Sequence, residues 1–261
     1  PPCAPAGPCT GARSTVGPRS AAVVALNADT LAVAWSWQVP FAEQDLDADF
    51  GATPTLCTAD NGKRILGVAN KNGIFYAFDT EAPGSPVWQR RIAIGGGGPE
   101  VGQGSISSAA CAHGVFYVGA GMAPQNASVC ATSTGQVWAL HAASGAPHWA
   151  NPYCTSLVMG PVSAASGLVA FGANCRVLDC PRRLILLDQA TGTPRFVGTP
   201  QTLAGLGDII SGIALVDGMM LVGDNPLGPG TISDGSRYFP PTATVRALNA
   251  WPGTYLPLVV R

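Results

Sequence analysis

Ala77-Phe78-Asp79-Thr80-Glu81-Ala82-Pro83-Gly84-Ser85-Pro86-Val87-Trp88 carries an apolar strand into a polar, glycine-bearing turn and out into an aromatic strand. The chain then repeats the phrase. Ala25-Leu26-Asn27 leads to Trp35, Ala139-Leu140-His141 leads to Trp149, and Leu187-Asp188 passes through Thr191-Gly192 to Phe196. A fifth copy opens at Ala247-Leu248-Asn249 and then loses its pattern. The copies recur near the roughly 40–50 residues of a four-stranded propeller blade, with extra length for insertions. Such a repeat outranks any local motif, because it fixes where every loop points.

Composition leads to the same class. Only 11% of the 261 residues are charged, against about 25% in ordinary soluble domains. The 33 glycines and 23 prolines are what a turn-rich β architecture requires. No apolar run reaches the ~18 residues of a spanning helix, so no transmembrane helix is expected. A net charge of −1 with scattered arginines leaves no electrostatic footprint for nucleic acid. Lysine occurs only at Lys63 and Lys71. The sequence therefore predicts an all-β chain: a β-propeller of four-stranded blades at residues 21–250, about four and a half of them. A Pro-rich, cysteine-bearing lead-in (1–20) precedes the blades and an apolar tail (251–261) follows. The tail reads as a last outer strand or as a segment that docks on a partner.

With strands lettered A to D from hub to rim, the second unit is expected at Thr53–Thr58, Arg64–Ala69, Ile74–Phe78 and around Trp88. The third is read at Ile106–Cys111, Val115–Gly119, Val137–Leu140 and around Trp149. The fourth is read at Pro161–Ala165, Leu168–Gly172, Leu184–Leu187 and around Phe196. The last has Ile209–Leu215, Met219–Val222 and Val245–Leu248, and the first unit has only C (Ala22–Leu26) and D (Ala32–Trp37). The insertions Met122–Gly135, Asn174–Arg182 and Asn225–Thr244 all fall between B and C. The long D–A loops Val39–Phe50 and Ile94–Ser105 open on that same face. Insertions gathered on one face mark a binding face, the plainer alternative being tolerated surface length.

Eight cysteines, an even number with no Cys-x-x-Cys spacing, point to disulfides and an extracytoplasmic setting (periplasmic, secreted or cell surface) rather than to zinc or c-type haem. Cys57 and Cys111 occupy equivalent places in neighbouring A strands, so an interblade bridge is plausible. Cys130 with Cys154, Cys175 with Cys180, and Cys3 with Cys9 are the other pairings the layout allows, and spacing does not decide among them. No signal peptide is visible, and Pro1-Pro2-Cys3 reads as the interior or matured edge of a longer product.

The strongest candidate site is Asp45-Leu46-Asp47-Ala48-Asp49-Phe50-Gly51-Ala52-Thr53-Pro54, at the inner end of a D–A loop. Carboxylates at alternate positions repel one another unless a cation, a proton or a donor compensates. Oxygen-rich clusters suit hard cations, and a carboxylate beside such an ion can serve as a general base. Read alone, the stretch is more readily a solvated acidic loop. Downstream, Asn70-Lys71-Asn72-Gly73 is a B–C hairpin whose Asn-Gly is adequately explained by turn geometry. Lys71, however, falls on the same face as the acidic loop and close to the hub. Lys63 falls on the opposite face and reads as solvated.

These residues carry a family resemblance over most of 20–225. The phrase Ala-x-Asp-x-x-Thr-Gly-x-x-x-Trp resembles the docking repeat of eight-bladed quinoprotein dehydrogenases, which bind pyrroloquinoline quinone (PQQ). Asp47-Ala48-Asp49-Phe50-Gly51-Ala52-Thr53-Pro54 followed by Lys71-Asn72-Gly73-Ile74-Phe75-Tyr76-Ala77-Phe78-Asp79 is most similar to the polyvinyl alcohol dehydrogenase branch. The resemblance implies that the blades are part of an eight-bladed ring. It makes Asp47 the catalytic base and a metal ligand, Asp49 an additional ligand for calcium or a lanthanide, and Lys71 the residue that contacts the quinone oxygens. The chain departs from the family pattern at Leu46 and Ala48, where aromatic residues are common, and the family draws further ligands from blades upstream of this region.

Several other features read as structural. The glycines Gly95–Gly98, Gly102 and Gly104 lack the Lys-Ser/Thr of a phosphate loop and read as a flexible D–A loop. His113, His141 and His148 are isolated, with His141 in the Asp slot of the repeat; Asp79 and Asp188 read as turn caps. Asn126-Ala127-Ser128 is a glycosylation sequon in an exposed insertion. Two functions follow. One is a quinoprotein-like alcohol dehydrogenase, or a portion of one, oxidising an alcohol with PQQ and a calcium or lanthanide ion and passing electrons to a separate carrier. The alternative is a non-catalytic PQQ-like propeller acting as an extracytoplasmic binding or structural subunit. In either case, another chain or segment is expected to complete the ring.

Overall fold

Repeated antiparallel β-meanders build this chain, and among the described residues the strands pair within each unit. The computed structural model describes residues 19–40, 48–95, 102–122, 134–154, 156–175, 182–224, 230–231, 237–238, 244–249 and 257–260. The first unit is a two-stranded sheet of β1 (Ala22–Leu26) and β2 (Val33–Gln38). The second is a four-stranded sheet of β3 (Thr55–Thr58), β4 (Arg64–Ala69), β5 (Ile74–Asp79) and β6 (Trp88–Arg91), in that spatial order. The third comprises β7 (Ala110–Ala112), β8 (Val115–Ala120), β9 (Thr134–His141) and β10 (Pro147–Cys154). In the fourth, β11 (Ser156–Leu157) and β12 (Ser163–Ala165) both pair with β13 (Leu168–Cys175), so the A position is interrupted; β14 (Arg183–Asp188) and β15 (Pro194–Gly198) follow. The last unit is β16 (Ile213–Val216), β17 (Met219–Asp224), β20 (Thr244–Asn249) and β21 (Pro257–Val260), with a small hairpin of β18 (Gly230–Thr231) and β19 (Arg237–Tyr238) between B and C.

The all-β reading and the blade layout are thus borne out. The A strands are shorter than the sequence implied: β7 begins at Ala110 rather than Ile106, and β16 at Ile213 rather than Ile209. Serines account for this at the third blade. The Ser105 hydroxyl donates to the Gly119 carbonyl and the Gly119 N–H donates to Ser107 Oγ, so side chains replace ladder bonds there. The tail does supply a fourth strand, since β21 pairs with β20. Most of the insertions, together with residues 1–18, the sequon at Asn126 and residues 96–101, lie outside the described residues.

The repeated phrase is an interblade staple. Trp88 Nε1 donates to the Ala142 carbonyl and Trp149 Nε1 to the Gln189 carbonyl, each reaching the C–D turn of the next blade. The same turns hold Gly145 and Gly192 at positive φ. A Cβ there would stand 2.4 Å from Trp88 and 2.8 Å from Trp149 respectively. Glycine therefore does two jobs: it takes the left-handed backbone that other residues resist, and it leaves room for the neighbour's indole. Two residues past each Trp, Arg90 and Asn151 donate to those same glycine carbonyls. Within the turns, Asn27 and Asp188 accept from the backbone N–H groups two and three residues on, as Asx turns do. A disulfide between Cys57 and Cys111, 5.4 Å apart at Cα, ties the second blade to the third as the equivalent-strand argument expected. Cys154 is also bonded. Cys3, Cys9, Cys130 and Cys180 lie outside the described residues, as does the side chain of Cys175.

Between blades the core is apolar and aromatic. Phe75, Tyr76, Phe78 and Phe116 are fully buried, with Trp37 over Tyr76 at 4.8 Å and Phe75 against Phe116 at 5.3 Å. Phe171, Ile185 and Leu187 continue it into the fourth blade. At about 25 cal/mol per Å² of apolar surface removed from water, this interblade packing is the main force that holds each meander to the next.

Candidate cofactor site

In the second blade the backbone of residues 48–52 alternates inward and outward. Ala48 and Ala52 are buried and Phe50 packs on Tyr76 at 6.1 Å, which leaves Asp49 facing out. The hairpin after β4 lies directly alongside. The Lys71 N–H donates to the Asp49 carbonyl at 3.2 Å, and Lys71 Nζ stands 2.7 Å from Asp49 Oδ1. The lysine side chain is 20% exposed and the carboxylate 60%. This is an ion pair at the edge of solvent, worth little to stability by itself.

Rigidity comes from what surrounds the pair. Asn72 is buried, donates to the Tyr76 hydroxyl at 2.7 Å and accepts from the Ile74 N–H at 3.0 Å. Arg91 donates to the Asn72 carbonyl at 3.1 Å. The two described ends of the glycine-rich loop clasp the hairpin. A Cβ on Gly95 would stand 2.1 Å from the Asn72 carbonyl oxygen, and one on Gly104 2.1 Å from that of Lys71. These glycines allow backbone to press on backbone. At Gly95 and Gly104 the role is close approach, and the Gly104 N–H and the Gly121 N–H close further bonds, to Ile94 and to Gly104, while Gly96–Gly98 of the loop lie outside the described residues. Gly51 serves likewise: a Cβ there would meet Ile106 at 2.6 Å.

Of the residues singled out from the sequence, the structure brings Asp49 and Lys71 together. Asp45 and Asp47 lie outside the described residues. Among the described residues no group of three or more His, Cys, Asp or Glu side chains gathers as a metal site. Lys63 is not merely solvated; its ammonium pairs with the buried Asp79 at 2.7 Å, and that contact pulls the Asp79 carboxyl below its ordinary range. His141 and His148 are not isolated from one another, with ring centroids 5.2 Å apart and His148 Nε2 at the Ala190 carbonyl. Sequence reasoning passes over Asn70, which enters it only as the first residue of the B–C hairpin.

The donor set fits an anionic quinone and its hard cation at two points. A half-buried ammonium on a locked hairpin can hydrogen-bond quinone oxygens, and an exposed carboxylate beside it can offer oxygen to calcium or a lanthanide. The chain is similar to known proteins. The chain is 27% identical over 256 residues to a polyvinylalcohol dehydrogenase of Sphingopyxis sp. (strain 113P3), an alignment covering 83% of this chain and 38% of that protein. It is 31% identical over 134 residues to one from Pseudomonas sp., covering 49% of this chain and 20% of that protein. Its sequence relatives are polyvinylalcohol dehydrogenases. The resemblance read from the repeat is borne out, and the chain spans well under half the length of both polyvinylalcohol dehydrogenases. No family model matches it.

Solved structures show the same fold at lower identity. A quinohemoprotein alcohol dehydrogenase from Pseudomonas putida HK5 superposes with a TM-score of 0.55 at 15% identity, covering 82% of this chain and 34% of that one. Sqt1 of Saccharomyces cerevisiae gives 0.54 at 12%, covering 90% and 54%. BamB from Moraxella catarrhalis gives 0.50 at 16%, covering 90% and 74%. With the polyvinylalcohol dehydrogenases they place this chain among β-propellers.

Proposed function

We propose that this chain is a portion of an extracytoplasmic quinoprotein alcohol dehydrogenase, the part that carries the base and the quinone-contacting lysine. The observation that supports it is the locked Lys71 hairpin, with its ammonium 2.7 Å from Asp49 on a face built by the D–A and B–C loops. When bound, PQQ with its calcium or lanthanide ion would supply the hydride acceptor and a Lewis acid. Asp47 would take the alcohol's hydroxyl proton as the hydride leaves the carbon, giving a carbonyl product. Lys71 would donate hydrogen bonds to the quinone oxygens, and Asp49 would add a carboxylate to the ion. Electrons would then pass to a separate carrier. An alcohol is the substrate class, and polyvinyl alcohol is the first to try because the relatives bear its name. The interblade disulfide supports the extracytoplasmic setting.

Among the described residues the first unit has two strands, and β1 pairs with β2 alone. Its apolar side chains Val24 and Leu26 are exposed. A strand edge with no partner among the described residues invites pairing, so another segment or chain is proposed to complete this blade.

The second reading, a non-catalytic binding or structural propeller, is favoured by one feature: Asp49 is already neutralised by Lys71. Titration of the purified protein with PQQ and calcium or lanthanum separates the two. Saturable binding of one quinone per chain, with dye-linked alcohol oxidation by the longest native form of the protein, supports the enzyme. No binding by either form leaves the structural reading.

A further inference from the structure

We propose that Asn70 is the positioning residue of this site, its carboxamide setting the separation between the loop that carries Asp49 and the hairpin that carries Lys71. The proposal rests on the reading of that hairpin as the cofactor-contacting element. Asn70 is fully buried. Its Nδ2 donates to the Ala48 carbonyl at 3.1 Å, across 22 residues of sequence, while its Oδ1 accepts from the Asn72 N–H at 2.8 Å. Its backbone is equally committed: the N–H donates to the Ile74 carbonyl, and the carbonyl accepts from Gly73 and from Ser105. One residue therefore joins the acidic loop, the lysine hairpin and the end of the glycine-rich loop.

Turn chemistry accounts for only half of this. An Asn opening a hairpin turn uses its side-chain oxygen on the N–H two residues on, which is the bond to Asn72. The donation to Ala48 is not required by the turn, and it lands on the residue directly before Asp49. Asn174, which follows Ala173 as Asn70 follows Ala69, gives both ends of its amide to Ile209, at 2.6 and 2.7 Å. Asn174 fastens a loop, whereas Asn70 links two functional segments to each other.

The test is Asn70→Ser, with Asn174→Ser as the matched control. A serine hydroxyl still accepts from the N–H two residues on, but does not reach Ala48. Exchange of the Lys71 amide, which donates to Asp49, is followed by NMR, and PQQ is titrated in calcium. Losing one hydrogen bond of this kind predicts roughly three- to tenfold faster Lys71 exchange and roughly three- to tenfold weaker quinone binding in Asn70→Ser. Asn174→Ser should change neither. Wild-type exchange at Lys71 in Asn70→Ser, or equal acceleration in both variants, overturns the proposal. Should Asn70→Ser not fold, Asn70→Asp, which keeps the accepting oxygen and loses the donor, is read in the same way. If the unmodified protein binds no PQQ, the functional reading fails, and the exchange measurement by itself still decides whether Asn70 couples the two segments.

Discussion

Asp49–Lys71 in the second blade and Asp224–Arg246 in the last are both carboxylate–cation pairs at the B–C end of a blade, and they are built in opposite ways. Arg246 and Asp224 are 10% and 0% exposed. The guanidinium donates to Asp224 at 2.9 Å and to the carbonyls of Ala204 and Gly205, while Asp224 also accepts from the Gly207 N–H at 2.8 Å. Three of the guanidinium's N–H groups are spent on holding a D–A loop to two strands. In the second blade the loop is held by neutral groups, namely the Asn70 carboxamide, the Lys71 backbone N–H and the close-packed Gly51, and the charges are left at the surface. A charged pair that the fold does not need for cohesion is one that a ligand can use.

The sharpest way to break this comparison is Arg246→Ala. Removing one partner of a buried pair leaves an uncompensated carboxylate and should cost about 3–5 kcal/mol, read as a lower midpoint in denaturant. If the loss is within a few tenths of a kcal/mol, the two pairs do not differ as argued. Next in size is the disulfide. Cys57→Ser with Cys111→Ser should cost about 2–4 kcal/mol in the same assay, showing that the second blade is secured at its hub rather than by its surface charges. Lys71→Ala should change stability by less than about 1 kcal/mol while abolishing saturable quinone binding. A large stability loss there would make Lys71 a structural residue like Arg246.

The smallest effect is in acid. Asp188 is held down to about 2 from an ordinary 3.8 by the hydrogen bond from Arg195, with Thr191 adding to it. A carboxyl depressed in the folded state contributes stability that is complete above its unfolded pKa of about 4 and is lost as pH falls towards about 2. Arg195→Ala should raise the Asp188 titration, followed by NMR. No change would mean that the turn N–H groups alone set it.

The blades were legible in the sequence because strand, turn glycine and tryptophan recur together, and the structure shows why they must: Trp88 and Trp149 need Gly145 and Gly192 beside them. The short A strands were not legible, since hydroxyls such as Ser105 and Ser107 take over bonds that a strand pattern assigns to backbone. At the site, the carboxylate–lysine juxtaposition followed from placing both loops on one face. Asn70 did not, because its contact to Ala48 crosses the blade, and a turn signature hides any second use of the same side chain. The Lys63–Asp79 pair was missed for a related reason: it closes the opposite end of the blade between residues 16 apart.

The central claim is that Lys71 is kept for a ligand rather than for the fold. The most direct measurement is PQQ and metal content, at intact mass, of natively purified protein with Lys71 present and with Lys71→Ala. The account predicts stoichiometric quinone and ion in the first and none in the second, with unchanged denaturation midpoints. Quinone-free, metal-free native protein, or equal cofactor content in both, would contradict it.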